Sequence, residues 1–183
     1  MKTLVLLAVS ILLLASCASM SSGPTASATL GSISGSTAAG TVTLVELKDG
    51  SVQVTADLTG VPAGVHGFHI HDKGDCGDNG NAAGGHFNPT SMQHGAPTAD
   101  PHHAGDFGNV TADAAGRVHA QFTTRSVTVA AGASSAVGHA VILHGNPDDL
   151  TTQPSGNAGP RIACGVVTLS SGDGGNMMAG MDN

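Results

Sequence analysis

The chain has 183 residues, 40% of them hydrophobic and only 10% charged, with a formal charge of −7. That length suits one domain able to bury a real core, and 6 Lys and Arg against 13 Asp and Glu exclude the basic footprint of a nucleic-acid binder. Tyr and Trp are absent and Phe occurs 4 times, so the core must rest on Val, Ile, Leu and Ala, while 27 Gly favour an all-β fold rich in turns over a helical one.

Residues 1–16 read as an export signal. Lys2 supplies the positive start, and the apolar run 4–14 is too short to span a bilayer. Leu14-Ala15-Ser16-Cys17 resembles a bacterial lipobox, which implies that Cys17 becomes the first mature residue and carries acyl chains. The alternative is an ordinary secretory signal cleaved after a small residue such as Ala18. Cysteine arithmetic favours lipidation, because an odd cysteine in an exported chain needs an explanation. With Cys17 acylated, Cys76 and Cys164 remain as an even pair, free to form one disulfide in an oxidising compartment. Two buried thiols are the other reading. Such a disulfide would close a loop of roughly ninety residues, worth about 4–5 kcal/mol by the chain-entropy argument. Residues 17–27, small and polar over 18–25, read as a flexible tether.

The domain is expected over 28–169. Period-2 stretches recur at 28–33, 41–46, 51–58, 66–71, 105–112, 117–123, 140–144 and 164–169. Thr41-Val42-Thr43-Leu44-Val45 and Val52-Gln53-Val54-Thr55 show the β-branched alternation of half-buried strands. Lys48-Asp49-Gly50 and Asp113-Ala114-Ala115-Gly116 read as hairpin turns. Eight strands at this spacing predict an antiparallel sandwich or barrel. Two gaps, 72–104 and 145–163, are too long for plain turns, and long loops in a compact domain are usually functional. Residues 170–183 read as a disordered tail, although Met177, Met178 and Met181 are soft enough to touch copper(I).

Metal-ligand residues crowd into and beside those gaps: His69, His71, His86, His94, His103, Asp106 and His144. His69 and His71 are two apart on a predicted strand and so share a face. Three histidines and an aspartate, His86, His94, His103 and Asp106, would complete a tetrahedral zinc shell. His144 can close a first site with His69 and His71, and His86 lies between the two sets in sequence. Seven ligands are too many for one metal and suit two that share one, since an imidazole that loses both protons can bridge.

Gly67-Phe68-His69-Ile70-His71, Gly85-His86-Phe87-Asn88-Pro89, His103-Ala104-Gly105-Asp106-Phe107-Gly108-Asn109-Val110 and the run from Gly156 to Gly165 resemble the copper/zinc superoxide dismutases. The similarity covers essentially all of 28–169. It implies an all-β, eight-stranded antiparallel Greek-key barrel or sandwich, immunoglobulin-like, with two long functional loops. It implies an enzyme that converts superoxide to dioxygen and hydrogen peroxide. Copper would be held by His69, His71, His86 and His144, and zinc by His86, His94, His103 and Asp106, with His86 as bridging imidazolate and proton carrier. Asp148 would link a copper ligand to a zinc ligand, His69 to His94. Cys76 and Cys164 would form the family disulfide, and Arg161 would attract the anionic substrate. His66 resembles a structural, loop-anchoring histidine; His102 keeps the wrong spacing for zinc; His119 and His139 read as surface or strand residues.

Loss of Lys2 with the signal makes the mature chain still more acidic, so the whole-molecule field does not help an anion. Two divalent metals and Arg161 would reverse the field locally, and a cleft focuses it. The segment 149–161 has no Lys or Glu and is shorter than in eukaryotic relatives, so guidance is weaker or comes from Lys73. The implied setting is the cell envelope: lipid-anchored through Cys17, on the periplasmic side of the outer membrane, protecting against extracytoplasmic superoxide. A monomer and a homodimer both remain open. The competing readings are a copper and zinc storage protein on the same fold, and an adhesive β-sandwich lipoprotein.

Overall fold

The computed structural model describes residues 23–170; the export signal, Cys17 and the methionine cluster lie outside the described residues. The strands are β1 Thr25–Ser32, β2 Ala39–Glu46, β3 Val52–Thr59, β4 Gly64–His71, β5 Asp106–Ala112, β6 Val118–Thr124, β7 Ala140–His144, β8 Arg161–Val166 and β9 Thr168–Leu169. A single 3-10 turn, Asn81–Ala83, is the only helical element among the described residues. Hydrogen-bonded neighbours run β5-β4-β7-β8-β1-β2-β3-β6, with β9 added to β1. Every pairing in this path is antiparallel. The end strands β5 and β6 lie side by side, where Phe107 and Phe122 meet edge to face at 5.3 Å between ring centroids. The sheet is thus rolled into a nearly closed Greek-key barrel of eight strands, as expected, with β9 as a short addition.

Alternation builds the interior. In β3, Val52, Val54, Ala56 and Leu58 are buried, while the residues between them are more exposed. In β4 and β7 alternation disappears, because both faces are covered. Phe68, Ile70, Val141 and Leu143 join the main core. Ala140 and Ile142 project from the other face, into a smaller apolar cluster with Ala83 and Cys164 beneath the 72–105 loop. Burying an Ile side chain is worth about 1.5–3 kcal/mol, so this cluster helps to fasten the loop. The Cys76–Cys164 disulfide, with Cα atoms 5.7 Å apart, fastens it covalently to β8.

Four features depart from the sequence expectations. β1 begins at Thr25, inside the expected tether, because Thr25, Ala26 and Ser27 pair with Val45, Leu44 and Thr43 of β2. The predicted 164–169 strand begins at Arg161 and breaks at Val167, where the chain leaves β7 and keeps only β1 as its partner. Asp113–Gly116 is a turn, closed by Asp113 N–H donating to Arg117 O at 2.9 Å, but β5 and β6 do not continue it as a ladder. A third long connection, 125–139, carries Val127, Val129 and Ala136 into the core. Glu46 Oε2 accepts the Val129 and Ala130 N–H groups, both at 2.8 Å. The small apolar residues of this segment have no sustained period, so the sequence alone does not mark it as part of the core.

Candidate metal centre

β4 provides the platform. His69 and His71 leave its outer face, opposite Phe68 and Ile70, and the two long loops bury them. Each ring is set by its other nitrogen, which fixes tautomer and orientation. His71 Nδ1 donates to Gly84 O at 2.9 Å, and its Nε2 lies 3.3 Å from His144 Nε2. His144 Nδ1 donates in turn to Gly159 O at 3.2 Å. His69 Nε2 donates to Asp148 Oδ2 at 2.8 Å.

His86 reaches the platform through an isolated antiparallel bridge to His71. Asp72 N–H donates to Gly85 O at 2.9 Å, Phe87 N–H to Ile70 O at 2.8 Å, and Gly105 N–H to Phe87 O at 2.9 Å. This bridge lies just past His69, where the β4–β5 pairing ends at Asp106. Position 105 has to be glycine, since a Cβ there would stand 2.2 Å from Ile70 O.

Asp106, the first residue of β5, gathers the second set. Its Oδ1 lies 2.7 Å from His86 Nδ1, 3.0 Å from His94 Nδ1 and 3.2 Å from His103 Nδ1. Its Oδ2 accepts the His103 and Gly95 N–H groups at 2.8 and 3.1 Å. Burial works against ionising this carboxyl, but the His86 ring and these two amides hold it well below the usual carboxylate range. Asp148 Oδ1 lies 3.0 Å from His94 Nε2, so this one buried carboxylate ties His69 to His94. The Asp148 backbone is itself held by Asn109, which exchanges two hydrogen bonds with it at 2.8 and 2.9 Å.

The donor set fits two metals. Ligand atoms of His69, His71, His86 and His144 lie within 4.8 Å of one another, as do those of His86, His94, His103 and Asp106. His69 Nδ1, His86 Nε2, His94 Nδ1 and His103 Nδ1 are buried with no hydrogen-bond partner. His94 Nδ1 and His103 Nδ1 are near Asp106 but not aligned for a hydrogen bond with it. Four such orphans in one place would be costly for packing alone; one cation in each set satisfies them all. Burial, reinforced by the neighbouring His86, pushes His69 and His71 well below the usual histidine range. Burial likewise lowers His144 to about 4 and depresses His103. These rings are therefore neutral donors at ordinary pH. Four imidazoles suit copper, and three imidazoles with a carboxylate suit zinc.

The first set opens to solvent through a cleft of about 720 Å³ lined by His71, His86, His144, Pro154, Ser155 and Arg161, among others. Arg161 donates to Gly80 O, and to Gly84 O at 2.6 Å. Half-burial lowers its pKa somewhat from the usual guanidinium value.

The other histidines stand apart from the centre. The ring nitrogens of His66 face His144 O at 2.9 Å and Pro62 O at 2.7 Å, which anchors the end of β7. His102 Nδ1 donates to Ala99 O at 2.6 Å, and its Nε2 accepts from Ser126 Oγ at 2.9 Å. His139 stacks on Phe87 at 4.0 Å, and exposed His119 pairs with Asp57. Asn109, Gln153 and Gly156 support the ligands but were not singled out from sequence. Asn109 is an exposed position of β5, and Gln153 and Gly156 lie in the 145–160 loop, so no periodic signal marks any of the three as a ligand support.

A Greek-key barrel with two metal-ready sets sharing one histidine defines a dinuclear metalloprotein. The family described as copper/zinc superoxide dismutase matches residues 38–167. The chain is also similar to a solved structure, that of the clock protein EA4, with 36% sequence identity and a TM-score of 0.73, covering 80% of this chain and 96% of that one. The chain belongs to the copper/zinc superoxide dismutase family. It is accordingly an oxidoreductase, a superoxide dismutase with copper and zinc as its metals.

Proposed function

We propose that the chain dismutates superoxide at a copper site joined to a zinc site through the His86 imidazolate: two superoxide anions and two protons give dioxygen and hydrogen peroxide. His69, His71, His86 and His144 would hold copper; His86, His94, His103 and Asp106 would hold zinc. The observation that carries this reading is the double environment of His86: Nδ1 lies against Asp106 while Nε2 is buried without a partner beside the cleft. Bound copper supplies the one-electron redox chemistry, and zinc, which has no redox chemistry, supplies charge. His86 Nε2 is the atom at which a proton can be held beside the cleft and returned to a reduced substrate. Arg161 places a positive charge on the cleft wall and draws the anion in against an acidic background. Asp148 holds the His69 and His94 rings in their donor tautomers.

The same reading places the enzyme in the cell envelope, anchored by lipid on Cys17 at the periplasmic side of the outer membrane. The lipobox-like run to Cys17 and the Cys76–Cys164 disulfide, which suits an oxidising compartment, support it. Metal analysis of the reconstituted protein, combined with pulse radiolysis, tests the chemistry. Equimolar copper and zinc with rapid superoxide loss are expected. Stoichiometric copper with negligible turnover would mean storage instead, and a fully active His86→Gln variant would eliminate the bridge. Mass spectrometry of the mature N-terminus tests the anchor: acylated Cys17 is expected, and an unmodified N-terminus at Ala18 or beyond rejects it.

A further inference from the structure

His94 sits in a stretch without regular structure, yet its backbone is fully paired by one distant side chain. Its N–H donates to Gln153 Oε1 at 2.9 Å, and its carbonyl accepts from Gln153 Nε2 at 2.8 Å. A single carboxamide thus does for His94 what a neighbouring strand would do. The same 145–160 loop grips this residue twice more. Asp148 takes its Nε2, and Gly156 lies so close over that hydrogen bond that a Cβ would fall 2.7 Å from His94 Nε2. The residues after Gln153, Pro154 and Ser155, line the cleft that opens on His71, His86 and His144.

We infer that Gln153 is a positioning residue: it sets His94 for the second metal and, through the same clamp, couples occupancy of that site to the Pro154–Ser155 wall of the cleft. This rests on the zinc assignment proposed above. His94 Nδ1 is buried without a partner, so a cation that takes it fixes the ring. The fixed backbone then fixes Gln153, and with it the turn that leads into the wall. Coupling is reciprocal, so a loosened wall must weaken zinc binding. Gln153 carries no charge and therefore acts by geometry alone, within a loop that has no Lys or Glu.

The test uses the full chain with zinc alone, measured by competition against a chromophoric chelator. Hydrogen exchange of the 149–157 amides is followed with and without zinc. Gln153→Met removes both clamp bonds at similar volume. Asn157→Gly, which releases the Asn157–Asp149 contact in the same loop while suiting the left-handed backbone at φ +52, controls for general loosening. Gln153→Met should bind zinc about tenfold more weakly and lose much of the zinc-dependent protection, while Asn157→Gly keeps both. Wild-type zinc affinity in Gln153→Met, or equal losses in the two variants, would overturn the coupling. A wild-type chain that takes up no zinc would instead sink the metal assignment itself.

Discussion

Burial keeps the clustered imidazoles unprotonated in advance of any metal, and this has a measurable cost. The folded-state value of His144 is about 4, below the roughly 6.5 of an unfolded histidine. As pH falls, the unfolded chain therefore takes up the proton first, and acid favours unfolding. His69 and His71 are displaced in the same direction. The metal-free protein should be fully stable above the unfolded value and lose stability steadily as pH drops toward 4, with urea midpoints as the readout. His144→Asn should make that dependence shallower; a midpoint independent of pH across the window would contradict neutral burial. Arg161 works at the same scale. Arg161→Ala should keep both metals yet slow dismutation by roughly tenfold and flatten its salt dependence. Pulse radiolysis at two ionic strengths decides this, and an unchanged rate removes Arg161 from substrate capture.

At the scale of elements, the 145–160 loop is tailored around one buried carboxylate. Gly156 has φ +66, and a Cβ there would lie 1.7 Å from Asp148 Oδ1. Gly156→Ala should cost about 1–3 kcal/mol from the backbone conformation alone. It should also displace Asp148, releasing zinc. Urea unfolding with zinc retention measures both effects, and a neutral variant would show that the loop can move aside. Much of this architecture was legible in the residues. Val52, Val54 and Leu58 advertise a half-buried strand by alternation, and His69 and His71 mark the platform by standing two apart. Asp148 was reached through family resemblance, since its partners lie more than fifty residues away. The 125–139 crossover was not legible, because its two buried valines are followed by a run of small residues without period, and its backbone is held by Glu46, a residue of another strand. The break at Val167 was hidden too, since an unbroken run of strand formers does not show where a residue will lose one of its two neighbours.

For the molecule as a whole, the Cys76–Cys164 link spans 88 positions and ties the ligand-bearing loop to β8. Cys76→Ser should lower stability by about 2–5 kcal/mol, read as a shift in the denaturant midpoint that reductant reproduces in the wild type and not in the variant. The same wild-type midpoint with and without reductant would assign the stability elsewhere. The seam between β5 and β6 carries a different consequence. Every other junction around the barrel is hydrogen-bonded, whereas here Phe107 and Phe122 do the sealing. Two strand edges that are not hydrogen-bonded to each other therefore face one another across a pair of rings. Trimming either ring to a small side chain would let the edges part, and each would offer a template on which another copy could polymerise.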